Sequence, residues 1–144
     1  MSKTVLIFAF IYFLVIQAIH VEVPVDLSKK KEYVVPEHID KILKDACYDC
    51  HSYDTKWPWY SYMAPVSWII RYDVSHALRW LNYQRWDEYS DKKKEKVLRT
   101  TIRLIDSGMP TPIYLMMHDE AKLTKEQKQQ VKDWANELLR TKEY

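Results

Sequence analysis

The feature that most constrains this chain is the run Cys47-Tyr48-Asp49-Cys50-His51. It matches the Cys-x-x-Cys-His pattern of c-type haem attachment. Two thiols at this spacing can form thioethers to the two vinyl groups of one porphyrin, and the histidine that follows can ligate the iron. Cys47 and Cys50 are the only cysteines in the chain, so no thiol is left over. The motif predicts one haem c, covalently bound through Cys47 and Cys50, with His51 as an iron ligand.

Three other interpretations of the two cysteines involve no haem. A dithiol–disulfide redox centre uses an activated thiolate and belongs with strand–helix alternation, which the sequence pattern does not show. A structural zinc site needs four protein ligands, and no second Cys/His pair is present, although His76 and His118 could contribute. A plain disulfide would close so short a loop that it would add little stability. A zinc or disulfide protein without haem therefore stays an alternative.

Length and charge limit the organisation and the partners of the chain. Its 144 residues suit one small domain with an appendage. The 22 basic and 20 acidic residues are interspersed, and the net charge is only +2. Nucleic-acid binding needs a clustered basic face, so we predict no nucleic-acid partner.

Residues 1–20 have the form of an export signal. Lys3 precedes an unbroken apolar and aromatic stretch at positions 5–16. No Ala-x-Ala site stands before His20, which favours an uncleaved signal or membrane anchor over a cleaved peptide, although a full span needs about 20 residues. The lysines at 29–31 disagree with the positive-inside rule. We still expect the domain on the periplasmic side of the inner membrane, or free in the periplasm after cleavage, because thioether haem attachment generally follows export.

Residues 21–35 read as a linker, and residues 36–144 as an all-α haem-binding domain with no convincing strand. A first helix opens at Pro36 and delivers the chain to Cys47. A second begins near Pro65. Helical spacing of apolar residues predicts these buried faces for them: Ile39, Ile42, Leu43 and Ala46; then Val66, Ile69, Ile70, Val74, Ala77 and Leu81.

Two further helices are predicted downstream. Ser90 or Asp91 caps the third, which ends at Gly108 as a left-handed residue. The last starts at Thr124, with a capping box to Gln127. Their predicted buried faces are Val97, Leu98, Thr101, Ile102 and Ile105, and then Val131, Trp134, Ala135 and Leu138.

A second iron ligand is expected from the loop before the last helix. Met109 leads because it follows the only glycine and precedes Pro110, which stiffens the loop. A thioether ligand raises the reduction potential and suits electron transfer. The other candidates are His118, His76, Met63, Met116 and Met117, or an open site.

Aromatic residues crowd the segment just after the motif. Trp57 and Trp59 are predicted to contact the haem, where indole rings could cover a porphyrin edge and their N–H groups could bond its propionates. Arg71 and Arg79 are candidates for pairing with those propionates.

Several stretches together resemble the haem-binding domain family, the single-haem, cytochrome-c-like proteins of Bacteroidetes-type bacteria. The resemblance runs from about Pro36 to Trp134. It is carried by Ile42-Leu43, Cys47 to Ser52, Thr55 to Ser61, Ala64 to Trp68, Asp73-Val74, Leu81-Asn82, Trp86, Met109-Pro110, Tyr114, His118, Ala121 and Leu123. It implies a cytochrome-c-like fold, a short amino-terminal hydrophobic segment, His51 as proximal ligand and Met109 as distal ligand. The stretch 76–79 departs from the family pattern, which puts a role for Arg79 in doubt.

The predicted function is that of an exported, membrane-tethered mono-haem cytochrome. It would carry electrons to or from an unidentified redox protein and would not be an enzyme. The alternative within haem chemistry is a haem enzyme or a gas or redox sensor, in which the distal site is open or labile.

Overall fold

The computed structural model describes residues 2–143, and these residues contain helices and turns but no strand. The α-helices are α1 (Lys3–Gln17), α2 (Glu37–Ala46), α3 (Tyr48–His51), α4 (Val66–Trp80), α5 (Asp91–Leu104), α6 (Pro112–Leu115) and α7 (Lys125–Thr141). Short 3-10 turns cover Leu27–Lys29, Trp59–Tyr62, Tyr83–Glu88 and Asp119–Ala121. The all-α prediction is confirmed.

Side-chain caps mark the starts of α5 and α7. The side chain of Ser90 accepts the backbone N–H of Lys93 at the start of α5. At α7 the capping box is complete, because Gln127 N–H donates to Thr124 Oγ1 and Thr124 N–H donates to Gln127 Oε1. Each bond satisfies a backbone donor that the first helical turn leaves without a partner.

The main core lies where α2, α5 and α7 meet the turn at 83–88. Its buried members are Ile39, Leu43, Tyr48, Leu81, Tyr83, Trp86, Val97, Leu98 and Ala135. Ile42, Ile105 and Val131 form a smaller cluster beside it. Tyr48 belongs to the Cys-x-x-Cys-His motif and stacks on Tyr83 with ring centroids 5.5 Å apart, so the motif is tied directly to the core.

The end of the predicted linker packs on this core. Tyr33 stacks on Tyr83 at 5.4 Å and lies 5.2 Å from the ring of Trp86. Burial raises the pKa of Tyr33 well above its ordinary value. The chain therefore enters the folded domain before Pro36.

The predicted buried face of α4 is wrong at its first turn. Val74 is buried, but Val66 is 44% exposed and Ile69 is 58% exposed. The buried residues of the helix are instead Ser67 and Val74. They are seven positions apart and therefore lie on one face. Val66 and Ile69 therefore belong to an apolar face of α4 that is exposed to solvent.

The predicted end of the third helix is also wrong. Helix α5 stops at Leu104, and Gly108 does not adopt a positive φ. The carbonyl of Leu104 accepts both Gly108 N–H (2.8 Å) and Met109 N–H (2.9 Å). These bonds terminate the helix without a left-handed residue.

Helix α1 is apolar on all sides, and its end is docked on the start of α4. The side chain of Gln17 accepts the N–H of Ala64 (2.9 Å) and donates to its carbonyl (3.2 Å). The indole N–H of Trp68 donates to the carbonyl of Ile19 (2.9 Å). Among residues 2–143, no helix combines the length and the apolarity needed to cross a bilayer.

Candidate functional site

A break between two helices shapes the motif. Cys47 ends α2 with φ −123° and precedes α3, a single turn. The carbonyl of Cys47 accepts the N–H of Cys50 (3.2 Å) and of His51 (2.9 Å), which closes a compact turn. We call residues 47–51 the motif turn. It brings two thiols and an imidazole together on one short backbone unit.

Both cysteines are free thiols. Burial raises the pKa of Cys47 to about 12 and that of Cys50 to about 11. A dithiol redox centre depends on a lowered thiol pKa, so the environment argues against that alternative. The disulfide alternative is not formed, and residues 2–143 contain no group of three or more His, Cys, Asp and Glu side chains that could hold a metal ion.

His51 is oriented as an iron ligand would need to be. Its Nδ1 lies 3.1 Å from the carbonyl oxygen of Leu81, and because a carbonyl only accepts, Nδ1 carries the hydrogen. The lone pair is then on Nε2, which is the arrangement of metal-binding imidazoles. Burial lowers the pKa of His51, which favours this neutral form. The motif turn therefore fits a haem held by two thiols and one imidazole.

Asp49 connects the motif turn to two other segments. Its Oδ1 accepts the backbone N–H of Lys56 at 3.1 Å, and its Oδ2 accepts the phenol O–H of Tyr114 at 2.7 Å. The second bond brings α6, in the methionine-containing loop, onto the motif turn.

His118 is held by neighbours at both ring nitrogens. Nε2 shares a 2.7 Å hydrogen bond with the hydroxyl of Tyr60, and Nδ1 lies 2.8 Å from Glu120 Oε1. The ring also stacks on Tyr114 at 4.1 Å and 12°. No lone pair is left for iron, so the geometry disfavours His118 as the second ligand. His76 is exposed on α4, where its Nδ1 accepts from the guanidinium of Arg79.

Met109 is accessible. It is 44% exposed, so ordinary core packing does not account for it. Its N–H is anchored on Leu104, and its peptide bond to Pro110 is cis. The nearby Met116 and Met117 are 78% and 60% exposed. The role of Met109 as iron ligand stays a prediction, which its accessible thioether permits.

The two predicted tryptophan contacts lie in different settings. Trp57 is half-buried beneath the guanidinium of Arg71, whose Cζ is 4.8 Å from the ring centroid. Trp59 is 69% exposed and packs edge-on against Tyr60. Arg71 is engaged with an aromatic face, and the exposed ring of Trp59 is free to cover a ligand.

Two stretches next to the motif turn expose apolar side chains: Trp59, Tyr62, Met63, Val66 and Ile69 in one, and Met109, Ile113, Met116 and Met117 in the other. We call them together the apolar surface. The Tyr60–His118 bond connects the two stretches. Exposed apolar side chains that lie together often mark the binding site of a ligand or partner. A porphyrin is a large apolar body, so this surface also fits haem.

Sequence reasoning did not predict the hydrogen bonds that Asp49, Tyr60 and Tyr114 make. Asp49 occupies a variable position of the motif, and its partner Tyr114 is 65 positions away. No local pattern announces such a pair.

One comparison with known proteins supports haem binding. A family model described as "Haem-binding domain" matches residues 6–137, which include the motif turn and the Met109 loop. No curated protein and no solved structure matches the chain.

Proposed function

Because the chain belongs to the haem-binding domain family, we propose that this haem-binding protein is an exported mono-haem c-type cytochrome that transfers electrons. The observation that carries the proposal is the bond from His51 Nδ1 to the Leu81 carbonyl, next to two free thiols. It leaves Nε2 available on the same turn as the thiols.

Each part of the site would have its own role in holding a haem. Cys47 and Cys50 would provide the two thiols for thioether bonds to its vinyl groups, each S–H adding across one C=C bond so that the hydrogen ends on carbon. His51 would provide Nε2 as an iron ligand, with its ring held by the carbonyl of Leu81. Met109 would provide the second iron ligand. A bound haem c supplies one iron that alternates between ferric and ferrous states.

Electron transfer is supported by the apolar surface beside the motif turn, which would leave a haem edge near solvent and a redox partner. Helix α1, exposed and apolar from Val5 to Val15, would hold the protein at the periplasmic side of the inner membrane. The redox partner is a protein of unspecified identity.

Covalent attachment is tested by a pyridine haemochrome assay on protein made with c-type maturation machinery. We expect one haem per chain that stays with the denatured polypeptide. Cys47→Ala with Cys50→Ala should release it, and His51→Ala should lower its yield. His76→Ala, an exposed histidine on α4, is the control. A colourless wild-type product would sink the proposal.

A second candidate is a haem sensor or enzyme with an open distal site, favoured by the 44% exposure of Met109. Met109→Ala separates the two. If Met109 binds iron, the haem of the variant should become high-spin and should bind carbon monoxide in the ferrous state. Its reduction potential should fall, because a thioether ligand raises the potential. Met116→Ala is the matched control. An unchanged Met109→Ala spectrum would favour the open site.

A further inference from the structure

The Asp49–Tyr114 hydrogen bond is the contact that joins α6 to the motif turn. The hydroxyl of Tyr114 donates to Asp49 Oδ2 at 2.7 Å, and the bond is partly buried. The acceptor is a carboxylate, and hydrogen bonds to ionised acceptors are stronger than those between neutral groups. Burial, followed by this bond, raises the pKa of Tyr114.

The ring of Tyr114 is positioned independently of its hydroxyl. It stacks on the imidazole of His118 at 4.1 Å and 12°. That imidazole is fixed in turn by Tyr60 and Glu120. Removing only the hydroxyl therefore keeps the stacking on His118, which lies outside the motif turn, and breaks the bond to Asp49 within it.

Met109 lies between two anchors. On one side its N–H is bonded to Leu104 at the end of α5. On the other side, five positions further along the chain, Tyr114 is bonded to the motif turn. If the second anchor is released, the methionine loop stays attached to α5 and to the ring of His118, but it loses its hydrogen bond to the motif turn.

We propose that Tyr114 is a positioning residue: through Asp49 it holds the Met109 loop over the haem and so keeps the sixth iron position closed. This inference rests on the proposed function, in which haem is attached at the motif turn and Met109 is the distal ligand. Tyr114 does not touch iron; it acts through Met109.

The test is Tyr114→Phe in the full-length, haem-loaded protein. We expect the carbon monoxide affinity of the ferrous protein to rise about ten- to hundredfold, the factor that corresponds to one lost hydrogen bond to a charged acceptor. The reduction potential should fall, and the haem content by haemochrome should not change. Tyr72→Phe removes an exposed phenol on α4 and should alter neither quantity.

A double-mutant cycle shows whether Tyr114 acts through Met109. In a Met109→Ala background the sixth position is already open, so Tyr114→Phe should add nothing to the carbon monoxide affinity. Additive effects would overturn the proposal. So would an unchanged Tyr114→Phe protein beside an altered Met109→Ala protein, although the proposed function would then stand.

Two further outcomes are informative. If Tyr114→Phe took up no haem, Tyr114 would belong to attachment and not to closure, and the proposal would fail. If the variant did not fold, Asp49→Asn would replace it, because the amide keeps an acceptor oxygen and only weakens the bond. Asp49→Asn should then give an intermediate rise in carbon monoxide affinity, and no rise would overturn the proposal.

Discussion

At the scale of single residues, the chemistry of each histidine is decided by what holds its two nitrogens. His51 donates from Nδ1 to the carbonyl of Leu81, which leaves the lone pair on Nε2, whereas His118 has a side-chain partner at each nitrogen. The motif alone predicted His51 as an iron ligand, because a histidine directly after Cys50 is the arrangement of c-type haem attachment. The sequence could not discount His118 on the same grounds, since Tyr60 lies 58 positions away.

Asp54 provides a test of charge at this scale. Lys30 donates to Asp54 Oδ1 and Gln84 donates to Asp54 Oδ2, each at a donor–acceptor distance of 2.5 Å. The hydrogen bond from Lys30 lowers the pKa of Asp54, and the bond from Gln84 lowers it further by a smaller amount. The folded pKa is below the unfolded value, so the stabilisation is present above about pH 4 and disappears as pH falls through the folded pKa.

We expect Asp54→Asn to cost less than about 1 kcal/mol at neutral pH, because exposed ion pairs are screened by water. The difference from wild type should shrink at about pH 3. Denaturant unfolding at both pH values measures it. Asp87→Asn is the control, since its carboxylate is 3.7 Å from Lys31 and both side chains are more exposed. A difference that grew in acid would contradict the assignment.

At the scale of elements, sequence patterns located the long helices well and the faces and ends less well. The capping box at Thr124 and the cap at Ser90 are local, so the sequence revealed them. Which side of α4 is buried depends on what packs against it, and Val66 and Ile69 were misassigned for that reason. The Asp49–Tyr114 contact is set by the tertiary fold and had no local signature.

Gly108 gives a prediction on the end of α5. Its φ is not positive, and an added Cβ would meet only Leu104 Cδ2, at 3.9 Å. Gly108→Ala should therefore leave stability unchanged or raise it by about 0.4–1 kcal/mol, because it restricts the unfolded chain. Thr124→Ala removes the cap of α7 and should lower the free energy of unfolding by about 1 kcal/mol, which gives a reference for a destabilising change. Chemical denaturation compares them, and a clear loss in Gly108→Ala would restore the left-handed interpretation.

At the scale of the whole molecule, α1 is joined to the domain by specific bonds and not only by the chain. Ile16 is buried, and Gln17 satisfies both backbone groups of Ala64. The end of α1 therefore completes the hydrogen bonding of the domain at the start of α4. The sequence showed that residues 5–16 are apolar, but it did not show that the end of this segment contacts the start of α4.

We expect Gln17→Ala to loosen this junction. Cleavage by added protease within residues 18–26 should become faster, because the exposed chain there is no longer held at its start. Trp68→Phe, which removes the donor to Ile19, should act in the same direction. Trp80→Phe, at the far end of α4, is the control. Equal cleavage rates in all variants would show that the docking contacts do not restrain the segment.

The raised thiol pKa values of the motif turn bear on the order of events in biogenesis. Thiols that stay protonated beside a packed core are poor substrates for any machinery that must reach them. In the proposed covalent attachment, the two thiols would therefore have to react before Tyr48 packs against Tyr83. The window for maturation would close when the domain folds, so competition between folding and haem delivery would set the yield of mature protein.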